Sequence, residues 1–288
     1  MRHTTRTWST ALGALLFAAC SDTGQRVMAP APPLAARKAL EKKGHAQVVS
    51  ASGDSAAIAA AVAQYRVLLG DPLNGATRDE QPAGRREINW DGVPAAFTNT
   101  DTFPGDFFNV RSPRGVLFTT GGTGFRVSDN GFSDVNAAYA GEFNVFSAPR
   151  LFAPIGSSRM DVDFVVAGSS TPAHVTGFGV VFADVERPHK TTLEYFNAAG
   201  KRLLEVAAPL RSDERGLSFV GVVFDDPIIA RVRITTGDES IGLTTVDNVS
   251  VHGKGKKDDD RGVKGKGKKH DLVVMDDFLY GEPHAIDD

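Results

Sequence analysis

From Glu87 onward, glycine, proline, asparagine and aspartate cut this chain into short runs rich in β-branched and aromatic residues. The runs are residues 115–120, 124–128, 159–167, 175–185, 191–197, 203–208, 217–224, 228–236 and 272–280. Within residues 160–165, Asp161 and Asp163 project to one face while Val162 and Phe164 project to the other, which is the pattern of a half-buried strand. Residues 191–208 read as a hairpin turning at Asn197-Ala198-Ala199-Gly200. Helices do not alternate with these strands, so a nucleotide-binding α/β fold is disfavoured. The texture predicts a mainly β protein, an antiparallel β-sandwich or jelly roll with one short N-terminal helix.

That helix is legible in residues 54–70. Asp54 or Ser55 can cap it, Ile58, Val62, Tyr65 and Leu69 recur at helical spacing, and Gly70 ends it ahead of Asp71-Pro72. Residues 54–86 then form a helix and linker packed on the domain, and residues 87–288 form the sandwich. Arg85 and Arg86 beside Glu87 suggest a salt-bridge staple. Residues 253–270 differ in kind: eight Lys or Arg and three Asp accompany a single large apolar residue, Val263, so this reads as a disordered charged insert. Its Gly262 to Lys268 stretch fits the first seven positions of a phosphate-binding loop. Lys269 stands where Ser or Thr must hold magnesium, so the solvated-loop reading is preferred.

The first nineteen residues read as a secretory signal, with Arg2, His3 and Arg6 ahead of an apolar run from Ala11 to Ala19. Ala18 and Ala19 stand directly before Cys20, the only cysteine, and this arrangement resembles a bacterial lipobox, with Phe17 at the position where leucine is usual. The resemblance implies cleavage before Cys20, acylation of its thiol, and a lipid bilayer as partner. Ser21 after the cysteine points to the outer membrane, so the expected location is the bacterial envelope. Residues 20–53, with Pro30, Pro32 and Pro33 and few large apolar groups, read as a disordered tether. With Cys20 spent on the anchor, no thiol remains for a disulfide, a thiolate metal site or a nucleophile. A net charge of −3 offers no case for nucleic acid.

The β half resembles a group of bacterial exported proteins, many of which carry a C-terminal sorting tail of the PEP-CTERM type. The likeness is carried by Gly84-Arg85-Arg86-Glu87-Ile88-Asn89-Trp90-Asp91-Gly92-Val93, by Phe107-Phe108-Asn109-Val110 and by Ser112-Pro113-Arg114-Gly115. It continues through Val175-Thr176-Gly177-Phe178-Gly179, Gly216-Leu217-Ser218-Phe219-Val220-Gly221-Val222, Ile229-Ala230-Arg231-Val232-Arg233-Ile234 and Asp276-Asp277-Phe278. The resemblance assigns no activity. The chain departs from the group by reaching Asp288 without the sorting tail, and its lipobox would supply another anchor. The strand order closing on Asp276-Asp277-Phe278 is also similar to the galactose-binding-like jelly rolls of carbohydrate-binding modules. That likeness implies a structural calcium ligated by Asp276 or Asp277.

Two candidate sites follow. In the first, Trp90 would stack on a sugar while Asn89 and Asp91 bond its hydroxyls, the alternative being that Trp90 fills the core beside a tight Asp-Gly turn. In the second, Asp129 and Asp225, in oxygen-rich loops, would join Asp276 or Asp277 around calcium, which accepts mixed carboxylates and carbonyls. No other cofactor is required by any motif. Gly-x-Ser-x-Gly and His-Glu-x-x-His are both missing, so no catalytic residue is assigned. The leading expectation is a lipid-anchored envelope protein whose non-enzymatic jelly roll binds a glycan or envelope component. A hydrolase of extracellular polysaccharide or ester, working through a carboxylate pair, is one alternative. A structural surface protein without a small ligand is another, and the oligomeric state is left open.

Overall fold

The computed structural model describes residues 45–211, 216–247 and 270–286. The signal, Cys20 and residues 253–269 of the charged insert lie outside the described residues. The first element corrects the tether boundary: Ala46–Gly53 is a strand, β1, and not the end of a linker. All eight of its residues pair with a later strand, from Ala46 opposite Phe224 to Gly53 opposite Leu217. Its side chains are mostly small, so periodicity marks it poorly, and the backbone ladder makes the strand.

Helix α1 (Ser55–Leu69) follows at once. The Asp54 carboxylate accepts a hydrogen bond from the Ala57 amide, which satisfies one of the free amides of the first turn. The Gly70 amide donates to the Arg66 carbonyl, and Gly70 has φ of +90°, so the helix stops there. The buried stripe is Ile58, Val62, Tyr65 and Leu69. Tyr65 lies over Gly179 and Gly221, which face each other across two strands. A Cβ at Gly221 would come within 2.7 Å of the Tyr65 ring, so glycine is needed there for space. The Tyr65 hydroxyl then donates to the Val222 carbonyl at 2.9 Å.

Downstream come β2 (Arg85–Ile88), the single turn α2 (Phe107–Val110), β3 (Val116–Thr120), β4 (Gly124–Ser128), β5 (Leu151–Ile155) and β6 (Arg159–Phe164). They are followed by β7 (Ala173–His174), β8 (Gly177–Ala183), β9 (Thr192–Phe196), β10 (Arg202–Ala207) and β11 (Leu217–Phe224). The last are β12 (Arg231–Thr235), β13 (Val274–Gly281) and β14 (His284–Ala285). A seven-stranded sheet runs β1-β11-β8-β13-β5-β4, with β2 also paired to β13. A five-stranded sheet runs β10-β9-β12-β6-β3. The pairings within both sheets are antiparallel. The fold is therefore the expected antiparallel β-sandwich with one helix of substance.

Two apolar layers hold it together. Between the sheets lie Trp90, Phe118, Phe152, Phe178 and Phe278 with many aliphatic neighbours. On the other side of the large sheet, α1 and the loops carrying Phe132, Tyr139 and Phe143 cover Val181, Phe219 and Leu279. Strand β13 is buried along its whole length because it lies between both layers. Among the described residues, no helix or apolar loop layer of this kind covers the outer face of the five-stranded sheet. The expected salt-bridge staple is present in a wider form: Glu87 bonds Arg66 and Arg85, while Arg86 forms a fully buried pair with Glu282.

Candidate functional site

The Asn89-Trp90-Asp91 site is corrected by burial. Trp90 is 1% exposed, stacks on Phe152 with centroids 3.9 Å apart, and meets Phe108 and Phe278 edge-on. Its indole N–H donates to the Asp276 carbonyl at 2.7 Å. No ring face is left for a sugar. Its φ of +66° is rare for a bulky residue, and tertiary packing holds it there. The Asp91 carboxylate accepts from the Arg150 amide, and the Arg150 guanidinium donates to the Asp91 carbonyl at 2.8 Å. Of the three residues, only Asn89 is exposed.

Asp276 and Asp277 are adjacent in β13, so ordinary alternation would send them to opposite faces. They are brought together by a bulge. Met275 pairs with Phe182 and Phe278 with Val180, so three steps on β13 match two on β8. Both carboxyl groups reach the Ser147 hydroxyl, at 3.0 Å for Asp276 and 2.7 Å for Asp277. Asp276 also accepts from the Phe146 amide at 2.6 Å. Burial, then the neighbouring Asp277, pushes Asp276 up to about 9, and burial raises Asp277 as well. At neutral pH the pair therefore keeps a proton, and the Ser147 hydroxyl lies within hydrogen-bond distance of both carboxyl groups. Asp276 and Asp277 are 0% and 4% exposed. Asp129 accepts instead from the Asn99 amide group at 2.6 Å, and Asp225 is exposed beyond the end of β11. The four residues expected to share calcium are thus not gathered.

A different set of carboxylates is. Glu142, Asp184 and Asp247 bring oxygens within 4.8 Å of one another, and so do Glu186, Asp247 and Asp271. They meet where β8 ends and β13 begins. Burial raises Asp184 to about 9, opposed by Arg211 and reinforced by Asp247, Glu186 and Glu142. Burial also lifts Asp271 to about 7, against the hydrogen bond from the Glu186 amide. Glu186 rises to about 7 for the same first reason, with Arg211 opposing. The sequence carries a faint signal of this site, since Asp184-Val185-Glu186 alternates directly after a strand. Asp247 and Asp271 are too remote in the chain to be associated by spacing.

The open face of the small sheet is the other polar assembly. Its pairings place Arg231 opposite Asp163 and Arg233 opposite Asp161. Arg233 grips Asp161 with two parallel hydrogen bonds of 2.8 and 2.9 Å. Arg231 reaches Asp163 at 3.3 Å. Both guanidinium groups lie over the Phe196 ring, 5.8 and 5.9 Å from its centroid. On the neighbouring edge, Arg202 contacts Glu194 at 3.0 Å and Glu205 at 2.6 Å. One hollow of about 350 Å³ is lined by Arg159, Asp161 and Arg233, and one of about 480 Å³ by Glu194, Arg202 and Glu205. A third, of about 530 Å³, lies where Asp163 and Arg231 meet Pro172, Ala173 and Ile286.

No protein-family model matches the chain, and neither does any curated protein or solved structure.

Proposed function

We propose that this chain is an exported, lipid-anchored protein of the bacterial envelope whose β-sandwich binds a glycan without turning it over. The open face of the five-stranded sheet is the proposed binding surface. One observation carries the proposal: helix and loops cover the large sheet, while the small sheet presents a half-exposed field of planar polar groups around Phe196. Asp161, Asp163, Glu194 and Glu205 are matched by Arg159, Arg202, Arg231 and Arg233. A balanced field suits an uncharged polyhydroxyl ligand better than a polyanion, which would call for an excess of one sign. Guanidinium and carboxylate groups fixed in place offer paired donors and acceptors to vicinal hydroxyls. Phe196, with both guanidinium groups over its ring, holds Arg231 and Arg233 in place for the ligand.

The anchor is supported by sequence features alone, namely the apolar run before Cys20 and the likeness to exported bacterial proteins. Among the described residues, no helix is long and apolar enough to cross a membrane. A panel of envelope and extracellular glycans, screened with the full chain, tests the binding. Arg233→Ala and Phe196→Ala should each weaken the best hit about tenfold or more, since an interaction of about 1.4 kcal/mol is a factor of ten. Silence across a broad panel, or hits indifferent to both substitutions, refutes the proposal.

A further inference from the structure

We propose that Glu142, Asp184, Glu186, Asp247 and Asp271 bind calcium, with Asp247 shared between the two halves of the cluster. The carboxylates alone do not make the case. Asp184 is 1% exposed, and neither of its oxygens accepts a hydrogen bond. Arg211 approaches one of them at 2.9 Å, a charge contact without the alignment of a hydrogen bond. Glu186 is 4% exposed; Arg211 takes one oxygen, and its Oε2 has no partner. Buried carboxylate oxygens without partners are costly, and the Arg211 guanidinium leaves such oxygens unmet on both Asp184 and Glu186. A divalent cation between them would supply both the charge and the missing contacts.

The donor set selects the ion. Every ligand is a carboxylate oxygen, with no His or Cys among them, which favours a hard cation over zinc or copper. Calcium holds oxygens at about 2.3–2.6 Å, so ligands on opposite sides of it stand about 4.6–5.2 Å apart. The oxygens of each triad lie within 4.8 Å of one another. Magnesium requires a tighter octahedron and keeps its waters, which suits a crowd of Asp and Glu from separate loops less well. Backbone amides already steady the ligands. Asp271 accepts from the Glu186 and Arg187 amides at 3.2 and 3.1 Å, and Asp247 accepts from the Leu272 amide at 2.6 Å.

The test uses the full chain, stripped with a chelator and titrated with calcium chloride by calorimetry, then melted with and without calcium. The expected result is saturable binding and a melting temperature raised by about 5 °C or more at a hundredfold excess over Kd, with a smaller response to magnesium. Asp184→Asn and Asp247→Asn keep the side-chain shape and remove the charge, and each should abolish the rise. In chelator, Asp184→Asn should melt no lower than the wild type, which separates lost ligation from lost folding. Should Asp247→Asn fail to fold, the wild-type titration and Asp184→Asn decide. No heat and no shift in the wild type, a shift retained by the folded variants, or an equal response to magnesium each overturn the proposal.

Discussion

Replacing Asp276 by Asn should remove a pH dependence of stability and leave the fold in place. The amide has the shape of a protonated carboxyl group. Its oxygen can accept from the Phe146 amide, and its NH₂ can donate to Ser147, whose hydroxyl then donates to Asp277. In the folded wild type, burial and Asp277 hold Asp276 at about 9, whereas an unfolded Asp titrates near 3.9. The raised folded value fixes the sign. Stability from this group is complete below about pH 4 and is lost as pH rises toward 9, because the native state keeps a proton that the unfolded state gives up. The slope is at most about 1.4 kcal/mol per pH unit, so between pH 5.5 and 7.5 the wild type should lose up to about 2.7 kcal/mol from this source. Urea unfolding of both proteins at the two pH values, in chelator and at one ionic strength, measures the difference in slope. Parallel slopes for Asp276→Asn and the wild type would refute the shared-proton reading of the pair.

Arg86→Met should cost about 3–5 kcal/mol, since it strands the Glu282 carboxylate in the core, and chemical denaturation reads the loss. The double variant Arg86→Met/Glu282→Leu should recover part of it. Gly221→Ala should destabilise by about 1–3 kcal/mol by driving a methyl group into the Tyr65 ring, and Tyr65→Leu in the same background should return some of that stability. Cys20→Ser should abolish acyl labelling and move the protein out of the membrane fraction; retained labelling would remove the proposed anchor.

Local grammar recovered most of the architecture. All nine predicted runs contain a strand, and the four apolar residues assigned to the helix face are its four buried residues. What escaped was structure imposed from outside the segment. Strand β1 is built of Ala, Ser, Gln and Val without clean alternation, and an edge ladder defines it. Strand β5 is buried at four of five positions and includes Pro154, so it shows neither period nor propensity. The Asp276-Asp277 pair was visible as a motif, but the bulge that turns both groups to one side was not. Trp90 offered two readings from sequence, and only contacts with residues as distant as Phe278 decide for the core. The charge alternation Asp161-x-Asp163 and Arg231-x-Arg233 was present throughout, yet its meaning depends on β6 and β12 being neighbours.

Footprinting of surface arginines by mass spectrometry, with and without the tightest glycan from the panel, would locate the bound ligand. Arg202, Arg231 and Arg233 should be protected from an arginine-specific reagent while Arg111 and Arg114 stay reactive. Protection of Arg111 and Arg114, beside the hollow of about 300 Å³ next to Trp90, with the three sheet arginines unchanged, would put the ligand elsewhere and contradict the assignment of the open face.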